Sequence, residues 1–316
     1  MNRIIFLLLQ CLLFQFILIG CKSKFDFKNK TVYLVTNREK SSFKNQFRDH
    51  VGDQNVWLHV HTNTGKYKYE EQSKENYFNS FFKKLNGNDL IVYIHGSGKS
   101  IKTVTKRSIR ISSIYKKPVV AFDWATHKTP GPLIYRKSRA MAKKSATYLN
   151  DFLKELFEYK NLNYKHVKIH LFLHSLGNHV FESLVALEGY NPKEHPFENI
   201  IFSAADIIED DQKVLFEKLK KFKSNVFIFF NKGDFVLWWA ELFIWKSRLG
   251  KNVARSIDDK HIHFIDLSNA DKVGHRHEYL FHPSKNLLQF INNILNDSVL
   301  DKNVFVNKNE NIWTLK

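Results

Sequence analysis

The chain has 316 residues, 43% of them hydrophobic and 25% charged, a balance that excludes a disordered polymer and is enough to bury one large core. Two cysteines exclude a disulfide-stapled scaffold, and a formal net charge of +18 makes an anionic surface a conceivable partner. The basic excess is spread through a chain rich in Lys, Asn, Ile and Phe, with no nucleic-acid-binding motif, so nucleic acid is not expected as a partner.

The first segment stands apart. Arg3 precedes an apolar run, Ile4 to Ile19, broken only by Gln10, Cys11 and Gln15. At roughly sixteen residues it is short for a membrane-spanning helix, which needs about twenty. It ends in Leu18-Ile19-Gly20-Cys21, which resembles a bacterial lipobox. That resemblance implies a signal peptide over 1–20, lipidation of Cys21, a tether over 21–30 and an exported protein held at a membrane of the cell envelope. An uncleaved anchor and an ordinary secretory signal are the alternatives. The remaining domain, 31–297, then has no cysteine, which removes thiol catalysis and thiolate metal sites.

Beyond the tether, short apolar, β-branched runs alternate with helical patterns, which predicts βαβ units and a mainly parallel sheet of about eight strands. The strands are expected at 31–36, 56–60, 90–95, 118–122, 167–173, 200–202, 226–230 and 261–265. Ala142, Ala146, Leu149, Leu153 and Leu156 recur at helical spacing and predict a long amphipathic helix across about 135–159. Val180, Leu184 and Leu187 mark another, and Pro283-Ser284 opens a last one carrying Leu287, Leu288, Ile291, Ile294 and Leu295 on one face. Residues 298–316 show no clear periodicity and are expected to form a tail.

Two strand ends carry chemistry. The strand at 90–95 runs into His95-Gly96-Ser97-Gly98-Lys99-Ser100, which ends like a phosphate-binding loop. The first glycine of that motif would fall at residue 93, which is Tyr93, still inside the strand. Without it the backbone cannot wrap a phosphate, and a nucleotide site is disfavoured.

The strand at 167–173 runs into His174-Ser175-Leu176-Gly177. This resembles the nucleophile elbow, G-x-S-x-G, of α/β-hydrolases, with Leu173 standing where the pattern has glycine. A serine there needs a base, and the base an orienting carboxylate, in the order Ser, acid, His. Asp234, after the strand at 226–230, is the favoured acid, with Asp206 the alternative. The loop Gly274-His275-Arg276-His277 supplies the base, His277 or else His275, with His282 a distant third.

From Thr31 to Leu295 the chain resembles an uncharacterised family of bacterial α/β-hydrolases. The likeness rests on Thr36-Asn37-Arg38, His95-Gly96, Trp124, the elbow, Arg248-Leu249-Gly250 and the histidine loop. It implies the α/β-hydrolase fold and a lipase- or esterase-like serine hydrolase acting on a small-molecule or lipid ester, with no metal or organic cofactor. It also implies an oxyanion hole from the amides of Ser97 (or Gly98) and Leu176. The alternative is a non-catalytic, lipid-anchored binding protein on a degenerate fold, for which Leu173 is the main argument. Seven basic residues between 97 and 117 and the aromatic stretch Phe235–Trp245 remain open at this stage: the first a solvated face or an anion-binding one, the second a buried helix, an acyl-binding wall or a membrane contact.

Overall fold

The computed structural model describes residues 30–41, 46–63, 66–127, 131–208, 212–253, 257, 259–297, 305–309 and 312–315. The signal segment and Cys21 lie outside the described residues.

The strands are β1 (Lys30–Lys40), β2 (Phe47–Asn63), β3 (Lys66–Gln72), β4 (Leu90–Ile94), β5 (Val119–Asp123), β6 (Ile169–His174), β7 (Asn199–Ser203), β8 (Asn225–Phe230), β9 (Ile262–Asp266), β10 (Phe305–Asn309) and β11 (Ile312–Leu315). They form one sheet in the order β10-β11-β9-β8-β7-β6-β4-β5-β1-β2-β3. Pairing is parallel from β1 through β5, β4, β6, β7 and β8 to β9, and again between β9 and β11. The antiparallel pairs lie toward the edges, β1–β2, β2–β3 and β10–β11. The eight expected strands are present and the sheet is larger than expected: β3, β10 and β11 extend it to eleven. Residues 305–309 and 312–315, within the stretch expected as the C-terminal tail, pair into the sheet.

The helices are α1 (Lys74–Leu85), α2 (Ile101–Tyr115), α3 (Pro132–Asn163), α4 (Gly177–Val185), α5 (Gln212–Leu219), α6 (Phe235–Ile244) and α7 (Lys285–Leu295). Central strands are buried at every position, as a sheet covered on both faces requires. Alternate residues serve different layers. Val92 and Ile94 pack into the layer that holds α1, α3, α4 and α5, while Ile91 and Tyr93 pack into the one that holds α2, α6 and α7. Because the central strands are parallel, the turns after β4, β5, β6, β7, β8 and β9 gather along one edge, where an open α/β sheet presents its ligand site.

Candidate active site

Ser175 sits at the joint of β6 and α4 with a backbone φ of 54°, a left-handed conformation that a serine adopts only when its surroundings impose it. The surroundings are visible. Its amide donates to Ser203 O at 3.0 Å, and its carbonyl accepts from Asn178 Nδ2 at 2.7 Å and from Asp206 N at 3.3 Å. Gly177 is forced: a Cβ there would fall 2.5 Å from His95 O and 2.6 Å from Ile94 O. Leu173 is not forced to be small. It is fully buried and packs into the same layer as Val180 and Leu184 of α4, so the elbow closes over a side chain pointing into the core. The departure at Leu173 therefore leaves the turn intact.

Asp234 is fully buried and caps α6, its Oδ1 accepting from Leu237 N at 3.0 Å. Its other oxygen, Oδ2, accepts from Nδ1 of His277 at 2.8 Å. With Nδ1 donating, Nε2 of His277 carries the lone pair that a general base needs. The His277 ring packs edge-on against His174, the residue preceding Ser175, at 4.9 Å between centroids. Nε2 of His174 donates to the His277 carbonyl at 3.3 Å. Burial, then the neighbouring His277, Arg107 and Lys99, push His174 well below the usual histidine range, so it is a neutral packing group.

His275 meets no carboxylate among the described residues. It is exposed, with Nδ1 3.0 Å from Gly233 O. His282 lies 2.7 Å from Arg110 Nη2 through its Nδ1. Asp206, the alternative acid, is held by other partners: Arg248 Nε lies 2.9 Å and Arg139 Nη1 3.8 Å from Oδ1, and the Tyr135 hydroxyl donates to both oxygens at 2.7 and 2.8 Å. Of the sequence candidates, Asp234 and His277 come together.

The turn after β4 is pressed against the elbow, since a Cβ at Gly96 would fall 2.7 Å from Ser175 Cβ. The Gly98 amide donates to Thr126 Oγ1 at 3.3 Å. The amides of Ser97 and Leu176 have no acceptor among the described residues. A buried ionic network holds this turn. Arg38 is bidentate on Asp123, at 2.8 and 3.0 Å, and also donates to Lys99 O at 2.7 Å. His95 Nε2 lies 3.2 Å from Asp123 Oδ1, and its ring stacks on Trp124, whose Nε1 donates to His95 O at 2.7 Å. Burial alone would raise the Asp123 carboxyl, but the Arg38 charge and the His95 hydrogen bond outweigh it and hold it near about 2.

The basic run of 97–117 divides. Lys99, Arg107 and Arg110 fasten the segment that follows His277. Arg107 pairs with Glu278 and lies over the Phe281 ring at 4.6 Å, Lys99 Nζ is 3.6 Å from Glu278, and Arg110 Nε donates to Phe281 O at 2.5 Å. Ser100 caps α2 by accepting from Thr103 N at 3.3 Å. Lys99 and Ser100, the pair that resembled a phosphate loop, thus have structural partners. From the histidine loop's other side, Asn231 Nδ2 donates to Gly274 O at 2.8 Å and Arg276 O at 3.1 Å.

Sequence reasoning passed over Asp123, Glu278, Tyr135 and Asn231. Asp123 closes a strand and Glu278 adjoins a candidate base, weak signals that acquire meaning only with their distant partners.

A parallel sheet flanked by helices, with a serine in a left-handed turn at its carboxyl edge, defines the α/β-hydrolase class. Residues 70–293 match the family described as alpha/beta hydrolase of unknown function (DUF900), and the chain belongs to that family. No curated protein and no solved structure gives a significant match to the chain.

Proposed function

We propose that the chain is a serine hydrolase that cleaves an acyl bond, with a carboxylic ester the simplest substrate. The observation that carries this is the Asp234–His277 pair at 2.8 Å, lying against the residue that precedes Ser175. Ser175 Oγ would bond to the carbonyl carbon while its proton moves to His277 Nε2, and the carbonyl electron pair would become an oxyanion. The imidazolium is stabilised by Asp234, which also holds its tautomer. The amides of Ser97 and Leu176 face the oxyanion, donors of a kind worth about 3–4 kcal/mol each. Collapse breaks the bond to the leaving group, which takes the proton from His277. Water then attacks the acyl-serine by the same sequence in reverse and releases the acid.

The lipobox-like Leu18-Ile19-Gly20-Cys21 supports a second part of the proposal, that the domain is exported and held at a membrane by lipid on Cys21. The test of the chemistry is a fluorophosphonate probe on the purified protein. Labelling at Ser175, lost in Ser175→Ala, is expected; a folded protein that resists labelling would instead be the non-catalytic binding protein.

A further inference from the structure

Among the described residues the exposed large hydrophobic side chains are Leu133 (73%), Leu162 (79%), Val214 (62%), Trp238 (40%) and Trp245 (84%). Three of these five lie on two helices that touch. Leu133 is in the first turn of α3, Trp238 is in α6, and Trp245 is its C-cap. Tyr135 and Phe243 join the two helices, ring centroids 5.8 Å apart. Both helices border the site. Asp234 is the N-cap of α6, and Tyr135 holds Asp206, whose amide reaches Ser175 O.

Helix α6 reads Phe-Val-Leu-Trp-Trp-Ala-Glu-Leu-Phe-Ile, yet only Leu237, Trp239 and Ala240 are buried. Its single charge, Glu241, faces inward to Lys251 at 2.8 Å. An apolar face left in water beside a reaction centre calls for a partner that covers it. The fringe of this face identifies that partner, because Arg136 and Lys137 of α3 and Lys232 just ahead of α6 are exposed and basic. Anionic headgroups complement such a fringe, while acyl chains match Trp and Leu. At ten residues α6 is about 15 Å long and can lie in an interface, and no helix among the described residues is long and apolar enough to cross a membrane.

We propose that the rim formed by Leu133, Trp238 and Trp245 seats the open end of the Ser175 site on an anionic phospholipid surface, making lipid-borne acyl esters the substrate class. The substrate clause rests on the hydrolase reading; the docking does not.

The test uses the full chain with phosphatidylglycerol vesicles, plain or brominated in their acyl chains. Bromine quenches indole only at van der Waals range, and residues 1–20 contain no tryptophan, so the N-terminal apolar run cannot produce the signal. Brominated vesicles are expected to quench part of the emission of the six tryptophans. Trp238→Ser/Trp245→Ser should remove most of that quenching, since of the four tryptophans that remain Trp57, Trp124 and Trp239 are buried and Trp313 is half-buried in β11. Leu133→Asp keeps every reporter and should weaken vesicle binding about tenfold, the worth of one buried leucine. No quenching, or quenching unchanged in the double variant, overturns the proposal, as does a rim that pairs two copies and ignores lipid. Probe labelling of Ser175 without vesicles separates the two readings. Labelling without quenching sinks the docking alone, and quenching without labelling sinks the hydrolase alone.

Discussion

Gly177 lies so close to the end of β4 that any Cβ on it would intrude 2.5 Å from the carbonyl oxygen of His95. The proposed nucleophile's turn and the proposed oxyanion turn are therefore one packed unit. Gly177→Ala would have to push two strand ends apart, at a cost of about 1–3 kcal/mol or more. The expected outcome is a lowered urea midpoint together with loss of fluorophosphonate labelling. A variant of normal stability and labelling would show that the turns are independent.

Asp234→Asn isolates the orienting role. An asparagine Oδ1 can still accept from Leu237 N, so the α6 cap and the fold should survive. The amide favours the wrong imidazole tautomer, and ester turnover should fall about 10⁴-fold. His275→Ala should leave turnover within about twofold, whereas His277→Ala should lose at least as much as Asp234→Asn, since without the base only the residual catalysis of the oxyanion hole is left. Steady-state kinetics on a soluble ester reads all three.

Asp206→Asn should behave in the opposite way. The carboxylate is buried with Arg248, itself fully buried, and removing its charge leaves an uncompensated guanidinium. Breaking such a pair costs about 3–5 kcal/mol. Denaturant titration should show that loss, while the protein that remains folded keeps labelling at Ser175. Turnover abolished without a stability change would make Asp206 the acid.

Acid stability follows from the network behind the site. Asp123 titrates in the folded chain near about 2, burial raising it and Arg38 with His95 lowering it further. Glu278 is likewise held near about 2, burial opposed by the charges of Arg107 and Lys99. Both values lie below the unfolded carboxylates at about 4. Their contribution is thus complete above about pH 5 and is lost as pH falls toward 2. The urea midpoint should drop across that window, with a shallower slope in Asp123→Asn. Glu278→Gln should change the slope less, because its side chain is 40% exposed and screened by water. Equal slopes in all three proteins would remove these two groups from the account.

Much of this molecule is readable locally. Eight strands, the long α3 and the elbow Ser175 follow from apolar runs, helical spacing and a glycine two residues on, all set by contacts near in sequence. These strands escaped because their signal is weak: β3 is Lys-Tyr-Lys-Tyr-Glu-Glu-Gln, where only Tyr67 and Tyr69 mark an inward face before the alternation stops, and β10 and β11 are short. Their pairing is dictated by a neighbouring strand's free edge, which no local pattern encodes.

The partner of each charge was beyond the sequence. His275 and His277 are two residues apart and chemically alike, and only the clamp of the loop by Asn231 and by Arg107 through Glu278 turns His277 onto Asp234. Asp206 and Asp234 both follow buried strands, and the difference is that Arg248 reaches one of them. Tyr93 in place of a glycine already argued against a phosphate loop at Lys99-Ser100, but that the lysine faces Glu278, 179 residues away, was not legible. Residue order thus determined the fold class and the strand-to-helix turn that holds Ser175. Which carboxylate meets which cation or histidine was decided by tertiary structure, because a charge's partner is set by distance in space, and the sheet brings its strand ends together without regard to their separation along the chain.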